Sequence, residues 1–281
     1  MSWKDLLVVL DAEPAARGRI DLAAALAERF SAHVSALYAL PVPRVPRHLG
    51  YYDPALIDPF FAALREKARG AAVEVREAFD AATRLRRLSA EWREIPEGPD
   101  AAAALHARHA DLAILGQLDP DRVESELARP RPEEVALASG RPVLVVPYAG
   151  HFADVGKRVV IAWSPTREAA RAIADAMPLM AAAEQVSVLT IDPPEAPDRP
   201  GELPAPDIAA HLARHGVKAR IETTISTGLP VGEVLLSRLA DFGADLLVMG
   251  AYGHSRTREM LLGGVTRSVL RSMTVPVLMS H

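Results

Sequence analysis

The chain contains no cysteine. Disulfides, thiolate metal sites and cysteine nucleophiles are thereby excluded, and a reducing compartment fits. It also lacks a dominant sign of charge: 32 Lys and Arg stand against 36 Asp and Glu, a net charge of −4. A mildly acidic chain without a long basic cluster is a poor match for a phosphate backbone, so no nucleic-acid role is expected. Aromatic residues make up only 5%, and Trp3, Trp92 and Trp163 are too scattered to stack bases. No apolar run approaches the roughly 20 residues that cross a bilayer, so no membrane partner is expected. The opening "MSWKDLLVVLDAEP" has a short apolar run broken by Asp11 and no small-residue cleavage pattern. No secretion signal is read there, and a cytoplasmic location is the expectation. What is present is 281 residues, 49% hydrophobic and 24% charged, enough for one large globular domain or two ordinary ones.

An internal repeat organises these residues. "ADLAILG" (Ala110–Gly116) is similar to "ADLLVMG" (Ala244–Gly250), 134 residues on (250 − 116). "RPVLVVP" and "VPVLMSH" pair Pro142 with Pro276 at the same separation of 134 (276 − 142). Nearer the start, "LLVVLD" matches "VVIAWS" and pairs Asp11 with Ser164, 153 residues apart (164 − 11). The second copy is therefore shorter in its first half, and the stretch Pro41–Gly70 is where the difference is expected. In each copy, short apolar runs alternate with helical patterns. Alternation of this kind predicts parallel strands joined by right-handed helical crossovers. Runs such as "LLVVL" and "DLLVMG" are apolar throughout, as strands covered on both faces are. Two five-stranded, doubly wound α/β domains are predicted, over 1–150 and 151–281, with Tyr148–Lys157 as the linker. "PVPRVPRH" and "DPPEAPDRP" read as stiff surface loops; each follows a second strand, so a lid is the other reading.

The stretch "MGAYGHSRTREMLLGGVTRSVL" holds Gly250, Gly253, Gly263 and Gly264 between a strand and a helix. An open α/β sheet binds ligands beyond the C-terminal ends of its strands, which is where these glycines fall. The helix start offers unpaired N–H groups and a positive dipole end, and glycine permits close backbone approach. The hydroxyls of Thr266 and Ser268 could add donors. No Gly-Lys-Ser/Thr occurs, and the spacing is not the dinucleotide fingerprint. Turn glycines and a phosphate loop both remain open on this physics alone.

The spacing Gly250-x2-Gly253-x9-Gly263 resembles the nucleotide-binding signature of the universal stress protein family, G-x2-G-x9-G-[Ser/Thr]. "PVGEVLLSRLADFGADLLVMGAYG" and the closing "VPVLM" are similar to family sequence, and the repeat extends the resemblance to both halves. The resemblance implies a tandem member: two Rossmann-like domains forming a pseudo-dimer through their last strands, with a further homodimer of chains left open. It implies a stress-response protein that binds ATP, with Mg²⁺ as the accompanying ion, in a regulatory role. Gly250, Gly253, Gly263, Gly264, Val265 and Thr266 would meet the phosphates. Ser164 stands where the family has an Asp for the ribose, and adenine would lie near Thr190. Gly264 replaces the motif's Ser or Thr and brings no hydroxyl. The first copy keeps Asp11 but carries Asp119, Arg129 and Pro130 in place of Gly253, Gly263 and Gly264. Carboxylates repel phosphate and proline removes an N–H, so this copy is expected not to bind ATP. Two other readings stand beside ATP binding: a partner-binding scaffold with a decayed site, and a slow ATP hydrolase, for which no water-activating carboxylate is evident.

Other constellations carry less. His106 and His109, and His211 and His215, each share a helix face. Neither pair has a third ligand, and no H-E-x-x-H occurs, so no metal is expected. "GHSRT" lacks the second glycine of a nucleophile elbow, so no catalytic residue is assigned.

Overall fold

A computed structural model describes residues 2–40, 54–95, 99–119, 121, 129–193, 204–252 and 264–281. The chain divides into two compact units, Ser2–Asp154 and Val155–His281, with the division inside the expected linker. In the first unit the elements run β1 (Asp5–Leu10), α1 (Ala16–Phe30), β2 (His33–Ala39), α2 (Pro54–Leu85), β3 (Ala90–Ile95), α3 (Pro99–Ala107), β4 (Leu112–Gly116), α4 (Pro132–Ser139) and β5 (Val143–Val146). In the second they run β6 (Arg158–Ala162), α5 (Arg167–Met180), β7 (Gln185–Ile191), α6 (Pro204–Arg214), β8 (Ala219–Thr224), α7 (Val231–Asp241), β9 (Leu246–Gly250), α8 (Gly264–Ser272) and β10 (Val277–Ser280). Each unit is an α/β domain with a parallel sheet, as the strand–helix alternation predicts.

The sheet of the first unit has the order β3-β2-β1-β4-β5, and that of the second β10-β9-β6-β7-β8. In both, the order reverses beside the first strand of the unit. That makes β1/β4 and β6/β9 the topological switch points, where an open sheet leaves a crevice at its strand ends. β1, β4 and β5 are buried along nearly their whole length, while the edge strands β3 and β8 are half exposed.

Strand registers fix how the two copies correspond. Leu6 faces Leu112 in the first unit, and Val159 faces Leu246 in the second. Val34 faces Ala90, and Val186 faces Ala219. Asp111 accepts hydrogen bonds from the backbone N–H of Lys4 and Asp5. Its counterpart Asp245 takes those of Gly156, Lys157 and Arg158. The repeated "AD" before each fourth strand is thus a carboxylate that ties down the chain entering the first strand. The length difference lies between the second and third strands: α2 has 32 residues and its counterpart α6 has 11. α2 starts inside Pro41–Gly70. "PVPRVPRH", and "DPPEAPDRP" beyond Pro193, lie outside the described residues.

Candidate functional site

In the first unit the switch-point crevice is filled by the protein itself. Asp11 follows β1 directly and lies 2.6 Å from Arg19 of α1 and 2.8 Å from Arg129. Arg129 also donates to the Gln117 carbonyl at 3.2 Å, just past β4. Arg19 is 1% exposed and Arg129 5%. Burial pushes the Asp11 carboxyl up, but the two guanidiniums and the hydrogen bond from Arg19 hold it below the usual aspartate value. Burial pulls the Arg19 guanidinium down, against the attraction of Asp11. Gly116 leaves room for this packing, since a Cβ there would overlap both guanidinium groups. On the neighbouring strand, the Tyr38 hydroxyl donates to the Ala68 carbonyl of α2 at 2.6 Å.

The second unit differs at each matched position. α1 and α5 bury the same faces, so Arg19 corresponds to Ala172, at the separation of 153 (172 − 19) that also pairs Asp11 with Ser164. Arg129 corresponds to Gly263, 134 residues on (263 − 129). Tyr38 corresponds to Thr190, five residues beyond the first residue of its strand in each case. Aspartate, two arginines and tyrosine thus become serine, alanine, glycine and threonine. In sequence, charge and side-chain volume are lost together at these four positions. The Thr190 hydroxyl is shielded from solvent and has no hydrogen-bond partner among the described residues, an arrangement that favours an additional donor or acceptor.

The expected site residues divide into groups. Ser164 follows β6, half-buried, and its carbonyl accepts from the Thr166 N–H at 2.7 Å. Thr190 lies near the end of β7, Gly250 ends β9, and Gly264, Val265 and Thr266 form the first turn of α8. Gly253 and Gly263 lie outside the described residues. A Cβ on Gly250 would stand 2.6 Å from the Ala169 nitrogen and 2.7 Å from the Glu168 carbonyl carbon. That glycine therefore has a packing duty against α5. Gly264 is exposed, and a Cβ there would meet nothing within 4 Å among the described residues, so their packing does not demand glycine. Thr266 is buried. Ser268 is turned to the neighbouring helix: a Cβ on Gly232 of α7 would lie 2.8 Å from its Oγ. Ser268 therefore contributes to the packing of α7 against α8.

Sequence reasoning overlooked Arg19 and Ala172. The available signal was an arginine on the otherwise apolar face of α1, eight residues after an aspartate at a strand end. The histidine pairs stay outside the site. The His211 and His215 rings lie tilted against each other with centroids 4.8 Å apart, and Arg93 reaches the His106 Nδ1 at 2.9 Å. Among the described residues no group of three potential ligands could hold a metal ion. No helix among them is long and apolar enough to cross a membrane.

The second unit coincides with a match to the family model "Universal stress protein family", over residues 156–281. Residues 156–281 thus carry a universal stress protein family domain. It is 37% identical over 67 residues to a universal stress protein of Synechocystis sp., covering 24% of this chain and 22% of the relative. It is 35% identical over 60 residues to one of Methanocaldococcus jannaschii, covering 21% of this chain and 36% of the relative. The matched segments thus span about a fifth and a third of those relatives. A universal stress protein of Archaeoglobus fulgidus has a similar fold, with a TM-score of 0.72 over 98% of this chain and 95% of that one, at 18% identity. A functionally unknown protein of Pseudomonas aeruginosa follows at 0.56, over 99% and 92%, at 16% identity.

Proposed function

We propose that the second unit binds one adenine nucleotide, ATP with its Mg²⁺, at the strand-end crevice between β6 and β9, and that the first unit binds none. The role is regulatory, in a stress response. The observation that supports this is the matched replacement of Asp11, Arg19, Arg129 and Tyr38 by Ser164, Ala172, Gly263 and Thr190. A buried ion-pair cluster is removed as a set, which a drifting surface would not require. α8 begins with Gly264, and a helix start carries a positive dipole end and N–H groups without intrahelical partners, which stabilise an anion. The Thr190 hydroxyl supplies a polar group for the nucleoside end. ATP would bring its own negative charge, so the crevice needs donors more than a carboxylate.

A second reading, a partner-binding scaffold with a decayed site, is favoured by Ser164, which loses a carboxylate's stronger acceptor, and by the packing duty of Gly250. Hydrolysis draws little support. Glu168 beside Gly250 is bonded to Arg167, and Asp192 accepts from the Ser226 N–H at 2.7 Å.

The test is mass measurement of nucleotide released from freshly purified protein. Wild type should release an adenine nucleotide, and Gly263→Arg, which restores the first unit's residue, should release at least tenfold less. Equal release from both proteins would remove the assignment; no nucleotide in either, even after incubation with ATP, would favour the scaffold.

A further inference from the structure

The outer edges of the two sheets are built differently. β3 and β8 correspond residue for residue, because Ala90 and Ala219 face matched partners. On β3, Glu91 is bonded to Ser35 and to Arg93, and Arg93 also reaches His106. Trp92 between them stacks on Tyr38 with centroids 5.6 Å apart and packs on Phe79 of α2 at 6.1 Å. The side chains of Glu91, Trp92 and Arg93 are thus each engaged within their own unit.

On β8 the same positions read Arg220, Ile221 and Glu222. Among the described residues neither charge has an ion-pair partner, and no strand lies beyond β8. The helix over this end of the sheet is the short α6, and Ile221 is 45% exposed. A free edge with an exposed β-branched residue templates another strand unless something blocks it. Lys218 and Arg220 would block a random partner, but their order with Glu222 is self-complementary.

We infer that a second copy of this chain pairs with β8, antiparallel, with Ile221 opposite Ile221 of the second copy. The backbone supports this register. The Asp192 N–H donates to the Thr224 carbonyl, so Thr224 turns its polar groups toward β7. Residues alternate along a strand, so Ala219, Ile221 and Thr223 turn theirs outward. With Ile221 on the two-fold axis, Ile221 exchanges both hydrogen bonds with its copy, and Ala219 does so with Thr223 of the second copy. Arg220 then falls opposite Glu222 of the second copy in the closer, non-hydrogen-bonded pairs. The symmetry repeats the ion pair on the other side of the axis. Ile221 meets its copy on the opposite face. The corresponding pairing of two β3 strands would also match Glu91 with Arg93, but those groups are already engaged.

Sedimentation of the full chain tests this. Wild type should contain a species of twice the chain mass of 30.2 kDa. Glu222→Arg places arginine opposite arginine and should weaken that association at least tenfold. The double variant Arg220→Glu with Glu222→Arg restores opposite charges and should restore it. Circular dichroism confirms folding, and the rescue separates pairing from misfolding. A wild type that stays monomeric would overturn the inference. So would a Glu222→Arg variant that associates like wild type, or a double variant no better than the single one.

Discussion

Asp11 is the residue that best separates the two units. Its carboxylate is buried between two guanidiniums, and an uncompensated buried charge is strongly destabilising. Asp11→Asn leaves Arg19 and Arg129 packed together without a counter-charge. It should lower unfolding free energy at neutral pH by about 3–5 kcal/mol, measured by urea titration. Acid should narrow the gap. The folded-state pKa of Asp11 lies below its ordinary value of 3.8. Its contribution is therefore complete above that value and is lost as pH falls through the folded pKa. The variant has no such titration, so the two unfolding midpoints should converge in strong acid. A gap that stays constant down to pH 2 would show that the carboxylate charge is not what holds the two arginines.

At the scale of elements, the glycines of the second unit divide by duty. Gly250 sits where α5 crosses the end of β9, and Gly250→Ala forces a Cβ into backbone atoms of Glu168 and Ala169. A shift of that kind costs about 1–3 kcal/mol. A Cβ on Gly264 meets nothing among the described residues, so Gly264→Ala should stay within about 0.5 kcal/mol of wild type, as an unpacked surface change does. Both should weaken ATP binding, the first with a fall in melting temperature and the second without. Calorimetric melts beside binding isotherms make the comparison. If Gly264→Ala melts several degrees lower, that glycine has a structural duty and its place at the phosphates is lost.

This division also marks what the sequence could show. The ten described strands were legible, because most are apolar runs bounded by turn residues and the two copies check one another; β3 and β8, which carry charges, are read from their place in the alternation. The place of the length difference was legible; that it is taken up by a 32-residue helix was not. α2 has charged residues along most of its length, so its apolar positions are diluted. Gly250, Gly264 and the loss of glycines in the first copy could be read from spacing. The meeting of Arg19 with Arg129 could not, since it depends on α1 delivering Arg19 to β1 and on Arg129 arriving from a distant loop. That Ser268 packs against Gly232, 36 residues earlier (268 − 232), could not be read from the sequence either.

For the whole molecule, the account comes down to an asymmetry. Two domains of one fold share strand order, register and the carboxylates that enter their first strands. One has closed its crevice with its own charges, and the other has cleared the same positions. A duplicated fold can thus keep one copy as a stable, ligand-independent half and the other as the half that responds. Binding to the second unit alone would stabilise the chain by mass action, while the first unit's stability would not depend on ATP.

Isothermal titration of the full chain with ATP in the presence of Mg²⁺ tests this most directly. The account predicts one ATP per chain, and none for Gly263→Arg. Two per chain would mean that the Asp11 cluster does not close the first crevice. None for wild type would mean that clearing the second crevice did not make a nucleotide site.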